Sequence, residues 1–222
     1  MGISAGLSLL ATRHAAARVA AMCYERRMAS SPTPAAGFRR PVPLDRATRL
    51  LNHGPTVLVS AEHAGRRNVM AAAWNMALDF APPKVAVVID KIAFTRGLIE
   101  ASGRFALSVP VRAQAALTTA IGGTTGKEVD KEAALAGLAW IDEPSSTSPL
   151  VEGCAAWLDC RLIPEPHNQQ AYDLFLGEVI GAWADRRVYS EGRWHFEGFD
   201  DLRTLHHVAG GHYLLPGESV DG

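Results

Sequence analysis

The segment Asp90–Arg96 (DKIAFTR) sets a lysine and a threonine where a strongly apolar run gives way to a helical pattern. The first turn of a helix presents N–H groups without intrahelical partners and a positive partial charge, so it attracts anions. Lys91 adds a mobile cation there and Thr95 a hydroxyl donor, a set that suits one phosphomonoester. A solvated lysine and a capping threonine fit the same residues. A second segment is Arg67–Trp74 (RNVMAAAW), continuing through Asn75–Pro83 (NMALDFAPP). Ala71, Ala72 and Ala73 are small enough to let a flat ring approach the backbone. Asn68 offers both a donor and an acceptor to a phosphate or a sugar-alcohol hydroxyl. Plain strand packing is the competing account of these alanines, and it would place Trp74 in the core. The third segment is Leu205–Tyr213 (LHHVAGGHY). His206 and His207 alternate faces on a strand, so at most one serves a given site, and backbone can satisfy either.

Other patterns exclude chemistry. Gly122–Lys127 (GGTTGK) ends like a phosphate-binding loop, but that motif requires glycine where Ile121 stands and Ser or Thr where Glu128 stands. It reads as a loop between two helices. Cys23, Cys154 and Cys160 lack the close pairs of a zinc site. Cys154 and Cys160, six apart, are expected on one face of a strand as reduced, buried thiols. No catalytic triad or paired-carboxylate motif is visible. A net charge of −1 over 222 residues points to neither a nucleic-acid nor a membrane partner. No run reaches the roughly 20 apolar residues of a membrane span.

The elements that would position these residues are mostly strands. Thr56–Ala61, Val69–Trp74, Lys84–Ile89, Phe105–Val109, Ala155–Leu162 and Leu174–Trp183 are rich in β-branched and aromatic residues. Helices are expected at Ala93–Ser102, closed by Gly103, at Val111–Ile121, stopped by Gly122–Gly123, and at Glu128–Ala136. Strands without regular βαβ alternation indicate an antiparallel barrel or sandwich and not a Rossmann domain.

Residues 1–40 read as an extension before a domain spanning 41–222. Residues 1–37 are rich in alanine and arginine with one acid, Glu25, and Ser30–Gly37 reads as a linker. An organellar transit peptide, a surface helix over 7–24 and a natural start at Met28 all fit. Unless the segment is a transit peptide, the expected location is cytoplasmic.

Order and spacing add what single residues do not. RNVMAAAW, an Asp-Phe-x-Pro-Pro turn, KVAVVIDK and then FTRGLIEASGRFALSVP resemble the flavin reductase-like, FMN-binding split-barrel family, most closely its flavoredoxin-type members. The likeness runs from about Pro43 to Leu215 and includes Val129-Asp130-Lys131, Cys154 through Arg161, Gly177-Glu178-Val179 and Leu205-His206-His207. It implies a mainly β fold with short helices, a six-stranded antiparallel Greek-key split barrel that forms a homodimer with FMN near the subunit interface. Carried over by motif position, Asn68, Val69, Met70 and Ala71 would line the phosphate and ribityl side. Met76, Ala77 and Leu78 would run along the isoalloxazine, and Lys91 and Thr95 would hold the phosphate. The sequence departs from the family pattern at Ala71, where Thr is common, at Ala93 and Asp79, where Ser is common, and at Glu132, where an aromatic is common. Each lost hydrogen bond to a phosphate costs roughly 1.5–3 kcal/mol, which predicts looser FMN.

The resemblance implies an NAD(P)H-dependent flavin oxidoreductase. The alternatives are an FMN electron carrier reduced by a redox partner protein and a non-enzymatic flavin-binding member. Hydride transfer between cofactors asks the protein for position and electrostatics, not a nucleophile. Lys131 or one of the paired histidines is the candidate for a cation or N–H near the ring.

Overall fold

The computed structural model describes residues 36–220 and 222. The expectations for residues 1–35, and with them Cys23, lie outside the described residues.

Six strands form where the sequence expects them: β2 (Val57–His63), β3 (Arg66–Ala72), β5 (Pro83–Val88), β6 (Arg104–Val109), β9 (Ala156–Ile163) and β10 (Leu174–Asp185). Between and beside them lie β1 (Arg39–Pro41), β4 (Asn75–Phe80), β7 (Trp140–Ile141) and β8 (Leu150–Val151), with three short hairpin strands after β10 and β14 (His212–Leu214) closing the chain. The main sheet is antiparallel, in the order β3-β2-β6-β9-β10-β5-β4, with β1 added along β10. It therefore holds eight strands where six were expected. The two extra are β1 and β4. Asn75–Phe80, expected to lead into a turn, instead pairs with β5 from Asn75↔Val87 to Phe80↔Pro83.

Strand β2 is buried from Val57 to Ala61 because both of its faces are covered. Val57, Val59 and Ala61 join Val85, Val87, Phe105, Leu107 and Phe175 in one buried cluster. Leu58 joins Val69, Ala106, Leu117, Ile121 and Trp157 in a second cluster on the opposite face. At Gly177 a side chain is excluded by packing, since a Cβ would lie 2.5 Å from Phe105 Cζ.

Among the described residues four short helices flank the sheet. Helix α1 (Phe94–Ser102) ends at Gly103, whose φ of 67° is the left-handed conformation that favours glycine, and the Gly103 N–H reaches the Ile99 carbonyl. A 3-10 turn at Arg112–Gln114 leads into α2 (Ala115–Gly123), which runs through both glycines instead of stopping before them. The third, α3 (Lys131–Ala134), is four residues long and not the expected nine. Asp130 accepts from the Glu132 N–H and so starts the helix there. α4 (Pro166–Tyr172) precedes β10. Cys154 precedes β9 and does not share a strand face with Cys160. They lie in opposite clusters, both fully buried. Among the described residues no helix is long and apolar enough to cross a membrane.

Candidate functional site

Strand β3 and the start of α1 meet through one buried hydrogen bond. Asn68 Nδ2 donates to Thr95 Oγ1 at 2.8 Å; Asn68 is 4% exposed and Thr95 fully buried. Thr95 is thus a partner of Asn68 within the helix and not its cap. Ala93 holds the N-cap position without a side-chain cap bond, and the carboxyl of Asp90 accepts from the Ile92 N–H at 2.9 Å. The loop after α2 closes over this pair. A Cβ at Gly126 would lie 2.4 Å from Asn68 Oδ1 and 2.8 Å from Phe94 Cδ1, so only glycine lets the loop approach.

A cleft of about 480 Å³ opens beside the pair, lined by Glu62, Gly65, Arg66, Arg67, Asn68, Phe94 and the run Gly126–Glu132. Its cations are differently engaged. The Arg66 guanidinium lies 4.6 Å from the centroid of the Phe94 ring. Arg67 forms two hydrogen bonds to Glu132, at 2.9 and 3.1 Å. Lys131 is buried, and its Nζ donates to the carbonyls of Val69 and Ile121 at 2.8 Å each. Burial lowers its pKa to about 8.

The residues singled out from sequence fall into three groups. Asn68 and Thr95 are brought into contact. Val69 turns its side chain into the core while its carbonyl receives Lys131, and Met70 and Ala71 are half-buried farther along β3. Met76 and Leu78 lie exposed on β4, with Ala77 half-buried between them. Lys91 is exposed and lies 3.8 Å from Asp173, outside the lining of the cleft. Trp74, expected in the core, is 76% exposed. It immediately precedes β4, whose Met76, Leu78 and Phe80 extend the exposed apolar surface along the strand at one end of the sheet. Asp79 is neutralised locally: the hydrogen bond from Lys84 at 2.6 Å, with the Phe80 N–H, holds its carboxyl below the usual range.

Arg66, Phe94, Gly126, Lys127 and Lys131 line the cleft without having been assigned to the phosphate side by spacing. The GGTTGK stretch fails as a phosphate loop, yet its last two residues reach the cleft. The paired histidines divide as alternation requires. His206 is half-buried and shares the Thr204 hydroxyl with His53, at 3.3 and 2.9 Å, whereas His207 is exposed against Tyr213. Neither lines the cleft.

Comparison with known proteins bears on this geometry. The flavin reductase like domain matches residues 49–203. The chain belongs to the flavin reductase-like family. It is 46% identical over 183 residues to YddH of Escherichia coli K12, covering 81% of this chain and 96% of that one. Among solved structures, an FMN-binding domain of a flavin reductase-like enzyme from Shewanella baltica OS155 is 50% identical. The match covers 83% of this chain and 97% of that one, with a TM-score of 0.80. The FMN-binding protein of Thermus thermophilus, bound to 1-cyclohex-2-enone, is 27% identical at a TM-score of 0.63, over 76% of this chain and 89% of that one. As a flavin reductase-like protein the chain is mainly β with short helices, and its solved neighbours are FMN-binding split-barrel proteins.

The residues present fit FMN. Arg66, Lys127 and Lys131 offer positive charge to a phosphate, Asn68, oriented by its bond to Thr95, offers a neutral hydrogen-bonding group, and the Gly126 contact brings the loop close beside it. The exposed stripe on β4 offers apolar surface to a flat ring.

Proposed function

We propose that this chain binds FMN, with the phosphate and ribityl chain at the cleft beside Asn68 and Thr95, and works as an NAD(P)H-dependent flavin oxidoreductase. The observation that carries the reading is the buried Asn68–Thr95 bond at the edge of a polar cleft that mixes cations and carboxylates, in a chain 50% identical to an FMN-binding domain. Bound FMN would supply hydride acceptance and onward electron transfer. The residues of this chain bind and orient it. Asn68, Thr95, Arg66 and Lys131 hold the polar end, and Met76, Ala77 and Leu78 pass along the ring. Lys91 is carried to the phosphate side by motif position alone, since it lies beside Asp173 and outside the lining of the cleft.

The working unit is proposed to be a homodimer. Trp74, just before β4, and Met76, Leu78 and Phe80 on it are between 47% and 76% exposed, an apolar area that a second copy of the chain would cover. A visible spectrum of the purified protein, before and after anaerobic NADH or NADPH, tests the function. Flavin absorbance near 450 nm that bleaches with a nicotinamide donor is expected. Protein that takes up no flavin, or holds flavin that neither donor reduces, overturns the reductase reading.

A further inference from the structure

Lys131 is the one buried lysine among the described residues, 5% exposed. Its ammonium carries three N–H groups, and the carbonyls of Val69 and Ile121 receive two of them. Both acceptors are neutral, and among the described residues no carboxylate pairs with Nζ. Four acids line the same cleft: Glu132 is held by Arg67, Asp130 accepts from the Glu132 N–H, and neither Glu62 nor Glu128 forms an ion pair with Nζ. A desolvated charge without a counter-charge is costly, and it interacts strongly with any ion that joins it. Lys131 lines the cleft, so a ligand can bring that ion.

We propose that Lys131 is the counter-charge for the phosphate of bound FMN and sets the preference for FMN over riboflavin. The assignment rests on the cleft being the FMN site. The phosphate is favoured over the ring because the surroundings of Lys131 are polar: Arg66, Arg67, Asn68, Lys127, Glu128 and Asp130 share its cleft. The exposed apolar surface suited to a ring lies on β4, outside the lining of the cleft. Tying Nζ to the carbonyl of Val69 also fixes it one residue from Asn68, the other polar group of the site.

The test is equilibrium titration of flavin-free protein with FMN and with riboflavin, for the wild type and Lys131→Met, between about pH 7 and pH 9.5. With a free-state pKa of about 8, wild-type FMN affinity should fall about tenfold per pH unit above that value while riboflavin affinity stays level. Lys131→Met should lose at least about tenfold in FMN affinity at pH 7, with riboflavin unchanged and no fall at high pH. Equal loss of both flavins in the variant makes Lys131 a ring contact or a purely structural tie, and overturns the assignment. Should the variant not fold, the wild type still decides, because a constant FMN-to-riboflavin ratio across the range also overturns it. A wild type that binds neither flavin removes the FMN reading itself, and this assignment with it.

Discussion

Asn68 on β3 and Thr95 on α1 are joined by a 2.8 Å hydrogen bond in which both residues are buried. The bond fixes the start of the helix against the strand, so it sets the floor of the cleft. Thr95→Val keeps the shape and removes the acceptor, leaving the Asn68 amide unpartnered. The expected cost is about 1–3 kcal/mol in urea unfolding, with weaker FMN binding and partial recovery in Thr95→Ser. Unfolding midpoints and FMN titrations of the two variants check this, and a Thr95→Val protein as stable as the wild type would count against it.

Gly126→Ala tests whether the loop must touch Asn68. The new Cβ would stand 2.4 Å from Asn68 Oδ1 and 2.7 Å from Cγ, so either the loop or the carboxamide has to move. A loss of about 1–3 kcal/mol is expected from such overpacking. FMN affinity should drop with it, because the displaced atoms belong to the binding cleft. The double variant Gly126→Ala with Asn68→Ala should recover part of the stability, since the smaller side chain vacates the clash. Strict additivity of the two changes would argue against direct contact.

The strands were legible in the sequence because their cause is local and repeated. β2 is rich in apolar side chains since both of its faces meet core, and Gly103 marks the end of α1 since only the left-handed conformation closes it there. The cleft was legible at Asn68 and Thr95, whose types and motif positions point to a phosphorylated ligand. Lys131 was read as a motif residue and as a candidate cation near the ring, not as a buried group of the polar cleft. Its burial depends on carbonyls 62 and 10 residues away, which spacing does not reveal. Gly126 was hidden for the same reason. Trp74 misleads in the opposite sense: its residue type suits a core, yet its side chain is 76% exposed.

The apolar stripe on β4 predicts an assembly effect. Met76→Glu and Phe80→Glu place charge where Met76 is 56% and Phe80 70% exposed, so the fold of the single chain should be little altered. Sedimentation velocity should show a dimer for the wild type and a shift toward monomer for the double variant. FMN affinity should fall in parallel if the ring lies at the interface. A wild type that sediments as a monomer at all concentrations would remove the dimer proposal while leaving the cleft intact.

His53 gives a pH dependence with a defined sign. Its Nε2 meets the Thr204 hydroxyl at 2.9 Å and its ring lies 5.1 Å from Trp194 and 5.3 Å from His206. Burial, reinforced by His206, lowers its pKa from 6.5 to about 4, and burial lowers His206 as well. The unfolded chain therefore takes up a proton near pH 6.5 that the folded chain refuses until about pH 4. Stability from this group is complete above that window and is lost as pH falls through it. At about 1.4 kcal/mol per pKa unit, the loss approaches roughly 3 kcal/mol, less whatever the partial exposure of the ring returns. The same residues tie β13 (His206–Ala209) to the loop before β2, through His207 N–H to Thr56 Oγ1 and Thr56 N–H to the Leu205 carbonyl. That strand should accordingly loosen first on acidification. His53→Gln removes the titration while keeping a polar side chain. Urea unfolding of wild type and variant at about pH 7.5, 6 and 5 should show the wild type losing stability more steeply, whereas parallel curves would mean that His53 is charged in the folded protein.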